Sequence, residues 1–530
     1  MKRWNGWGDE TINYSIPASA ISYLNRLVGI GTRPRDCGLQ ELLPTLPKSK
    51  LPNHALISTD SRTRLLHARG QSFPDWLDLH SGHIKSYPDG VAYPMSDENV
   101  VQLIQFANQA GIHLIPYGGG TSVVGHIDPI KDKSPILTID MSRMNRLIDL
   151  DSQSLQATFG AGICGPDLEA QLRAQGFTLG HFPQSFEFST LGGWIATRSS
   201  GQQSLRYGRI ERLFAGGRLI TPLGELYIPS FPASAAGPDL RESVLGSEGR
   251  FGILTEACIR ISPIPGRQEF HAVFFPDFEQ GVEAVKQILA SGLSLCMLRL
   301  STAKETSTTL ALAGHENLIG ALERLLGMRG LGDDKCMLLL GFSGEPALVR
   351  VNRGEALSTT SKFAGVHIGK TFGEQWHKNR FRTPYLRNTL WEMGYGVDTL
   401  ETATDWSNTP RMVKLIEEAL MSAMSRFDEK VHVFTHLSHV YPSGSSVYTT
   451  FLFRLASDHE ETRERWYAMK SAASQAIINH GGTISHQHGV GLDHLPYLEK
   501  EKGSLGIGAI KTLCHFFDPK GIMNPGKLVA

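Results

Sequence analysis

The sequence lacks a surplus of either charge. Its 530 residues carry 52 Lys+Arg against 52 Asp+Glu, a formal net charge of +0. A chain-wide basic field for nucleic acid is therefore excluded, and any anion must be held locally. Cysteine is sparse and scattered. Cys37, Cys164, Cys258, Cys296, Cys336 and Cys514 form no CxxC pair, which argues against a zinc ribbon or disulfide framework and for reduced thiols. No apolar run reaches the ~18 residues that a membrane-spanning helix needs. The opening MKRWNGWGDE has no apolar signal core, and the ending GKLVA is no receptor-read address. A cytoplasmic location is expected, with membrane association left open. No G-X-Y period occurs, so the glycines are not collagenous.

What is present is globular: 41% hydrophobic and 20% charged residues. The length exceeds the ~300 residues at which one core stops growing, so two or three domains are expected. Glycine is over-represented, at 55 residues. Residues 1–85 read as a helical and irregular segment. Residues 86–266 alternate short strands, glycine-rich turns and two helices. One helix opens at Asp97-Glu98-Asn99, where acids meet the positive end of the helix dipole, and stops at Gly111. The other starts near Pro166 and stops at Gly176. A turn cluster, Pro263-Ile264-Pro265-Gly266, closes the block. Residues 267–480 alternate strand and helix again, with helices expected over 278–290, 417–426 and 460–479. Residues 481–530 carry a second Gly/His-rich stretch and a closing helix over 508–517.

Three segments of the second block suit a long, phosphate-bearing, partly planar ligand. Pro116-Tyr117-Gly118-Gly119-Gly120-Thr121-Ser122 ends a strand, and its amides and hydroxyls can form a nest for phosphate oxygens. No Lys follows at Walker A spacing, and no helix opens as a Rossmann GxGxxG would require. Gln184-Ser185-Phe186-Glu187-Phe188-Ser189-Thr190, followed by Thr197-Arg198-Ser199-Ser200, alternates hydroxyls with apolar residues. Glu248-Gly249-Arg250-Phe251-Gly252-Ile253-Leu254 lets backbone approach closely before an apolar strand. Outside this block, His486-Gln487-His488 can take or give protons near neutral pH. A metal there is not expected, because two imidazoles at i and i+2 lack further ligands at a known spacing. Arg299, between apolar neighbours, needs a partner or a cavity.

These residues carry a resemblance. The block resembles the FAD-binding domain of the vanillyl-alcohol oxidase/PCMH flavoprotein superfamily. From Trp4 onward the chain is most similar to the alkyldihydroxyacetonephosphate synthase family. The similarity lies in Trp4-Asn5-Gly6-Trp7-Gly8, in His181 to Gly193, in Ile484 to Gly491 and in Asn524-Pro525-Gly526-Lys527. It implies an α+β protein: a PCMH-type FAD-binding domain of two α+β subdomains plus an antiparallel-sheet cap. It implies FAD on the three segments above. Thr121 stands where a linking His is used in relatives, so non-covalent FAD is expected, with Cys164 as a residual attachment point.

The same resemblance implies Tyr448, His486 and His488 as proton carriers and Arg387 and Arg299 as substrate-binding residues. The family has three consecutive histidines where this chain has Gln487 in the middle. The implied reaction exchanges the acyl chain of 1-acyl-dihydroxyacetone phosphate for a long-chain alcohol, redox-neutral through a flavin N5 adduct. Phosphate-ester and long-chain alcohol substrates follow, with no nucleic acid; peripheral membrane contact and a homodimer stay open. Because fold does not fix function, oxidation of a 2-hydroxy acid such as D-lactate or glycolate is the alternative, and a non-catalytic flavin carrier is a third.

Overall fold

The computed structural model describes residues 2–130, 133–314 and 316–529. Three main sheets organise them. The first is mixed and four-stranded, ordered Ile57–Ser58, Gly90–Ala92, Ile136–Asp140, His113–Tyr117, with the last three mutually parallel. The second is five-stranded and antiparallel and includes Phe214–Thr221 and Ile253–Arg260 at its centre. The third is seven-stranded and antiparallel, with strands from Arg267–Phe275 to Gly444–Arg454. The architecture is the expected α+β one: two α+β units and an antiparallel sheet.

Local chemistry sets the elements. The helix Asp97–Ala110 is capped by Ser96, whose hydroxyl accepts from the Asn99 amide, and it ends at left-handed Gly111. Its buried Val100, Leu103, Ile104 and Ala107 face the first sheet. The helix Gly165–Arg173 begins with Pro166 at its first turn. Phe278–Ala290 matches its expected span. Thr409–Ser425 starts eight residues before the expected 417, because Pro410 suits a first turn. The closing helix is Leu495–Phe517 rather than 508–517, and it is interrupted at Gly503, which sits at φ 69°.

Two terminal segments return to the centre. Asn524 donates its backbone amide to Leu114, beside the Leu114–Met523 bridge, so the C-terminal stretch extends the edge of the first sheet. At the other end, Asn388 accepts from the Trp7 amide at 2.9 Å and donates to its carbonyl at 3.0 Å. The N-terminal Trp-Gly motif is thereby clamped to the helix Thr383–Glu392, which carries Arg387.

Candidate active site

A cavity of about 1330 Å³ lies between the first two sheets and the third. Its wall includes Pro116, Tyr117 and the loop Gly118 to Ser122; Gln184, Ser185, Ser189 and Thr190; Thr197, Ser199 and Ser200; Glu248, Gly249, Gly252, Ile253 and Leu254. Arg299, Arg387, Tyr448 and His488 face it from the other half. The expected contact segments are thus only partly on the wall. Phe186 stacks on Phe381, Phe188 packs edge-on to Trp7, and Phe251 stacks on Phe517. Arg198 pairs with Glu242, Arg250 donates to the Met523 carbonyl, and Glu187 is hydrogen-bonded with Tyr385. In the second and third motifs the phenylalanine rings turn into packing while smaller residues face the cavity, because burying a ring stabilises more than exposing it to a polar ligand.

The residues present fit FAD. Among the described residues, the amides from Gly118 to Val123 donate to no protein acceptor, so they form an open row of donors. The glycines also serve packing. A β-carbon at Gly119 would collide with the Phe188 carbonyl and one at Gly118 with the Thr190 hydroxyl, while Gly120 needs its φ of 70°. The loop is braced from behind. Ser122 Oγ meets His126 Nδ1 at 2.8 Å, His126 Nε2 lies 3.1 Å from Glu248, and Asn524 Nδ2 donates to the carbonyls of His126 and Glu248. Cys164 is off the cavity wall, with its thiol donating to Asp167 at 3.2 Å.

On the opposite side, strand register aligns three side chains. Tyr448 sits across from Glu401 on one neighbour and from His436 on the other. The Tyr448 and His436 rings stack at 4.8 Å. Arg299 is paired with Glu305, which also accepts from His436 at 2.9 Å, so its charge is already answered within the protein. Arg387 differs. Its Nη1 donates to the Gln71 carbonyl at 2.9 Å and its guanidinium lies 4.3 Å over Trp76, yet Nε and Nη2 are buried without partners. A buried cation with two free donors on a cavity wall calls for an anion there.

The titration states follow from burial. Burial pushes the Tyr448 phenol well above its usual value, against a hydrogen bond with Thr399. It therefore holds its proton in the resting site rather than being activated to lose it. Burial lowers His488 to about 4, so its imidazole is neutral and can accept. Burial pushes the Glu401 carboxyl up, but His486, His439 and His488 outweigh it and hold Glu401 below the usual range. His486 is not on the wall. It lies behind it, with Nε2 at 2.7 Å from the Tyr441 hydroxyl and Nδ1 at 3.2 Å from Glu401.

Sequence reasoning missed Glu305, Glu401, His436, His439 and Tyr441. His436 and His439 lie three apart near a strand end, which is a weak signal. The acids had none, being single carboxylates in apolar strands or helices. The cavity also has an apolar arm, including Ala20, Leu24, Leu322, Phe372 and Trp376.

Comparison with known proteins agrees with this geometry. A family model described as FAD binding domain matches residues 88–228, and one described as FAD linked oxidases, C-terminal domain, matches 264–528. The chain is 32% identical to the alkyldihydroxyacetonephosphate synthase of Dictyostelium discoideum, over 89% of this chain and 78% of that protein. It is 30% identical to that of Trypanosoma brucei brucei over the same shares. A solved alkyldihydroxyacetonephosphate synthase superposes with a TM-score of 0.86 at 28% identity, over 99% of each chain.

Proposed function

The chain belongs to the alkyldihydroxyacetonephosphate synthase family of FAD-linked proteins, and from that premise we propose how its residues divide the work of ether-bond formation. The overall reaction is exchange of the acyl chain of 1-acyl-dihydroxyacetone phosphate for a long-chain alcohol. FAD, when bound on the Gly118 to Ser122 loop, supplies a ring that can take up and return electron density.

The observation that carries the reading is Arg387. Its buried, half-unpaired guanidinium sits in one cavity with the flavin loop and the apolar arm, which suits a phosphate headgroup on an acyl chain. Neutral His488 accepts the proton that leaves the substrate carbon. Tyr448 keeps its phenolic proton until the leaving carboxylate oxygen takes it, and the phenolate then accepts the proton of the entering alcohol. Arg299, ion-paired through Nη2 with Glu305, shapes the wall, and Glu305 in turn holds His436 beside the Tyr448 ring. Gln487 donates to Glu401 at 2.6 Å, so the residue that departs from the family's middle histidine orients a carboxylate instead of moving a proton.

No helix among the described residues is long and apolar enough to cross a membrane. Leu312, Leu318 and Leu325 both line the cavity and stand exposed. They mark the mouth at which peripheral contact with a lipid surface delivers the long chains. Oxidation of a short 2-hydroxy acid is less well supported, since it leaves the apolar arm without a use. The test is incubation with acyl-dihydroxyacetone phosphate and hexadecanol, with mass spectrometry for the ether product. Flavin bleaching by D-lactate with no ether product would overturn the reading.

A further inference from the structure

At the cavity wall, Glu401, His439 and His486 form a buried trio contributed by three separate segments, with His439 lining the cavity and Glu401 and His486 behind it. Glu401 comes from the strand Tyr395–Asp405, His439 from the link between Val431–Leu437 and Gly444–Arg454, and His486 from the loop after the helix His459–Asn479. One donor atom from each lies within 4.8 Å of the other two. The side chains of His486 and Glu401 are 1% and 0% exposed. His486 Nδ1 and Glu401 Oε1 are 3.2 Å apart, yet neither makes a well-formed hydrogen bond. Two buried polar atoms facing each other without a bond ask for a third body between them.

The outer atoms of the same groups are all held. His439 Nδ1 meets the Ser200 and Ser204 hydroxyls at 3.1 and 2.9 Å. His486 Nε2 meets the Tyr441 hydroxyl at 2.7 Å. Glu401 Oε2 accepts from Gln487 Nε2 at 2.6 Å. Each imidazole thus has one nitrogen engaged by a hydroxyl, and His486 turns its other nitrogen toward Glu401, the arrangement by which outer partners orient metal ligands. Two imidazoles and one carboxylate, in a buried site, match a borderline cation in tetrahedral geometry. Bonds of about 2.0–2.1 Å place tetrahedral donors roughly 3.3 Å apart. The His486–Glu401 separation already meets that spacing, and the remaining edges close by about 1.5 Å at most.

We propose that Glu401, His439 and His486 bind a zinc-class divalent cation at the cavity wall, with water from the cavity as the fourth ligand. The ion would tie the loop that presents His488 to the sheet that presents Tyr448, fixing the distance between the two groups. It stands on the geometry of the trio alone and does not depend on which substrate the cavity takes.

The flavin-loaded protein, stripped with a chelator and dialysed, is titrated with zinc alone and assayed by elemental analysis and calorimetry. The expected result is about one zinc per chain. Tyr441→Phe, which keeps the fold and removes one outer partner, weakens zinc affinity about tenfold. Glu401→Gln and His439→Ala lose the metal while keeping flavin absorbance. Wild-type protein that retains flavin but takes up no zinc overturns the proposal and leaves a bare His–Glu pair. Zinc uptake unchanged in both Glu401→Gln and His439→Ala also overturns it, by placing the metal elsewhere.

Discussion

The two walls of the cavity are built by different means. The wall from residues 116–254 is mostly backbone: consecutive amides and close-packed glycines supplied by short contiguous segments. The wall from the seven-stranded sheet and the helix Thr383–Glu392 is mostly side chain. There Arg299, Arg387, His436, Tyr448 and His488 each come from a different element and act through pairing and burial. Backbone recognition tolerates many ligands that share a phosphate, whereas side-chain recognition chooses the reaction. The first wall should therefore be sensitive to added volume and the second to removed charge or protons.

The largest expected effect is on the second wall. Arg387→Ala should lower kcat/KM for the acyl phosphate substrate about 10³-fold while the flavin spectrum is retained. Arg387→Lys should recover only part, because an ammonium cannot offer two directed donors. On the first wall, Gly119→Ala should cost about 3 kcal/mol of stability, the upper end for overpacking, and release flavin, read by thermal melts and absorbance. If Gly119→Ala instead kept flavin and lost only turnover, the division between walls would fail. Tyr448→Phe should lower kcat about 10²-fold with flavin content unchanged.

A pH series separates the walls by stability. Burial lowers His377, His432 and His488 to about 4 and His494 to about 3, all C-terminal to residue 266; His181, at about 3, is the counterpart in the flavin-binding half. These groups bind protons more readily unfolded, so their contribution is full above about pH 6.5 and is lost as pH falls toward 4. Hydrogen exchange at pH 5 should show the C-terminal half opening first. The smallest effect concerns the mouth: Leu318→Asp should reduce vesicle co-sedimentation and turnover of long-chain substrates a few-fold while sparing flavin.

The same contrast explains what could be read from the chain. The Asp97–Ala110 and Phe278–Ala290 helices are local signals and lie where their residues point, and the triglycine loop and part of the hydroxyl-rich segments line the cavity. Within those segments, reading alternation did not reveal that Phe186, Phe188 and Phe251 turn away, because the choice between core and ligand depends on neighbours such as Phe381 and Phe517. The start of Thr409–Ser425 was misjudged because its polar first turn carries no apolar period, although Pro410 was the available cue.

By itself the sequence determined the globular composition, the α+β alternation and, through its longer motifs, the family. Those properties depend on residues adjacent in the chain, where backbone sterics and periodicity act directly. Tertiary structure alone decided that Arg387 is left half-unpaired, that Arg299 is ion-paired with Glu305, and that Tyr448 holds its proton. It also decided that His486 withdraws behind the wall to join Glu401 and His439. Each of those outcomes is set by which groups meet in a low-dielectric interior, and strand register rather than local sequence brings Glu401, Tyr448 and His436 into one row.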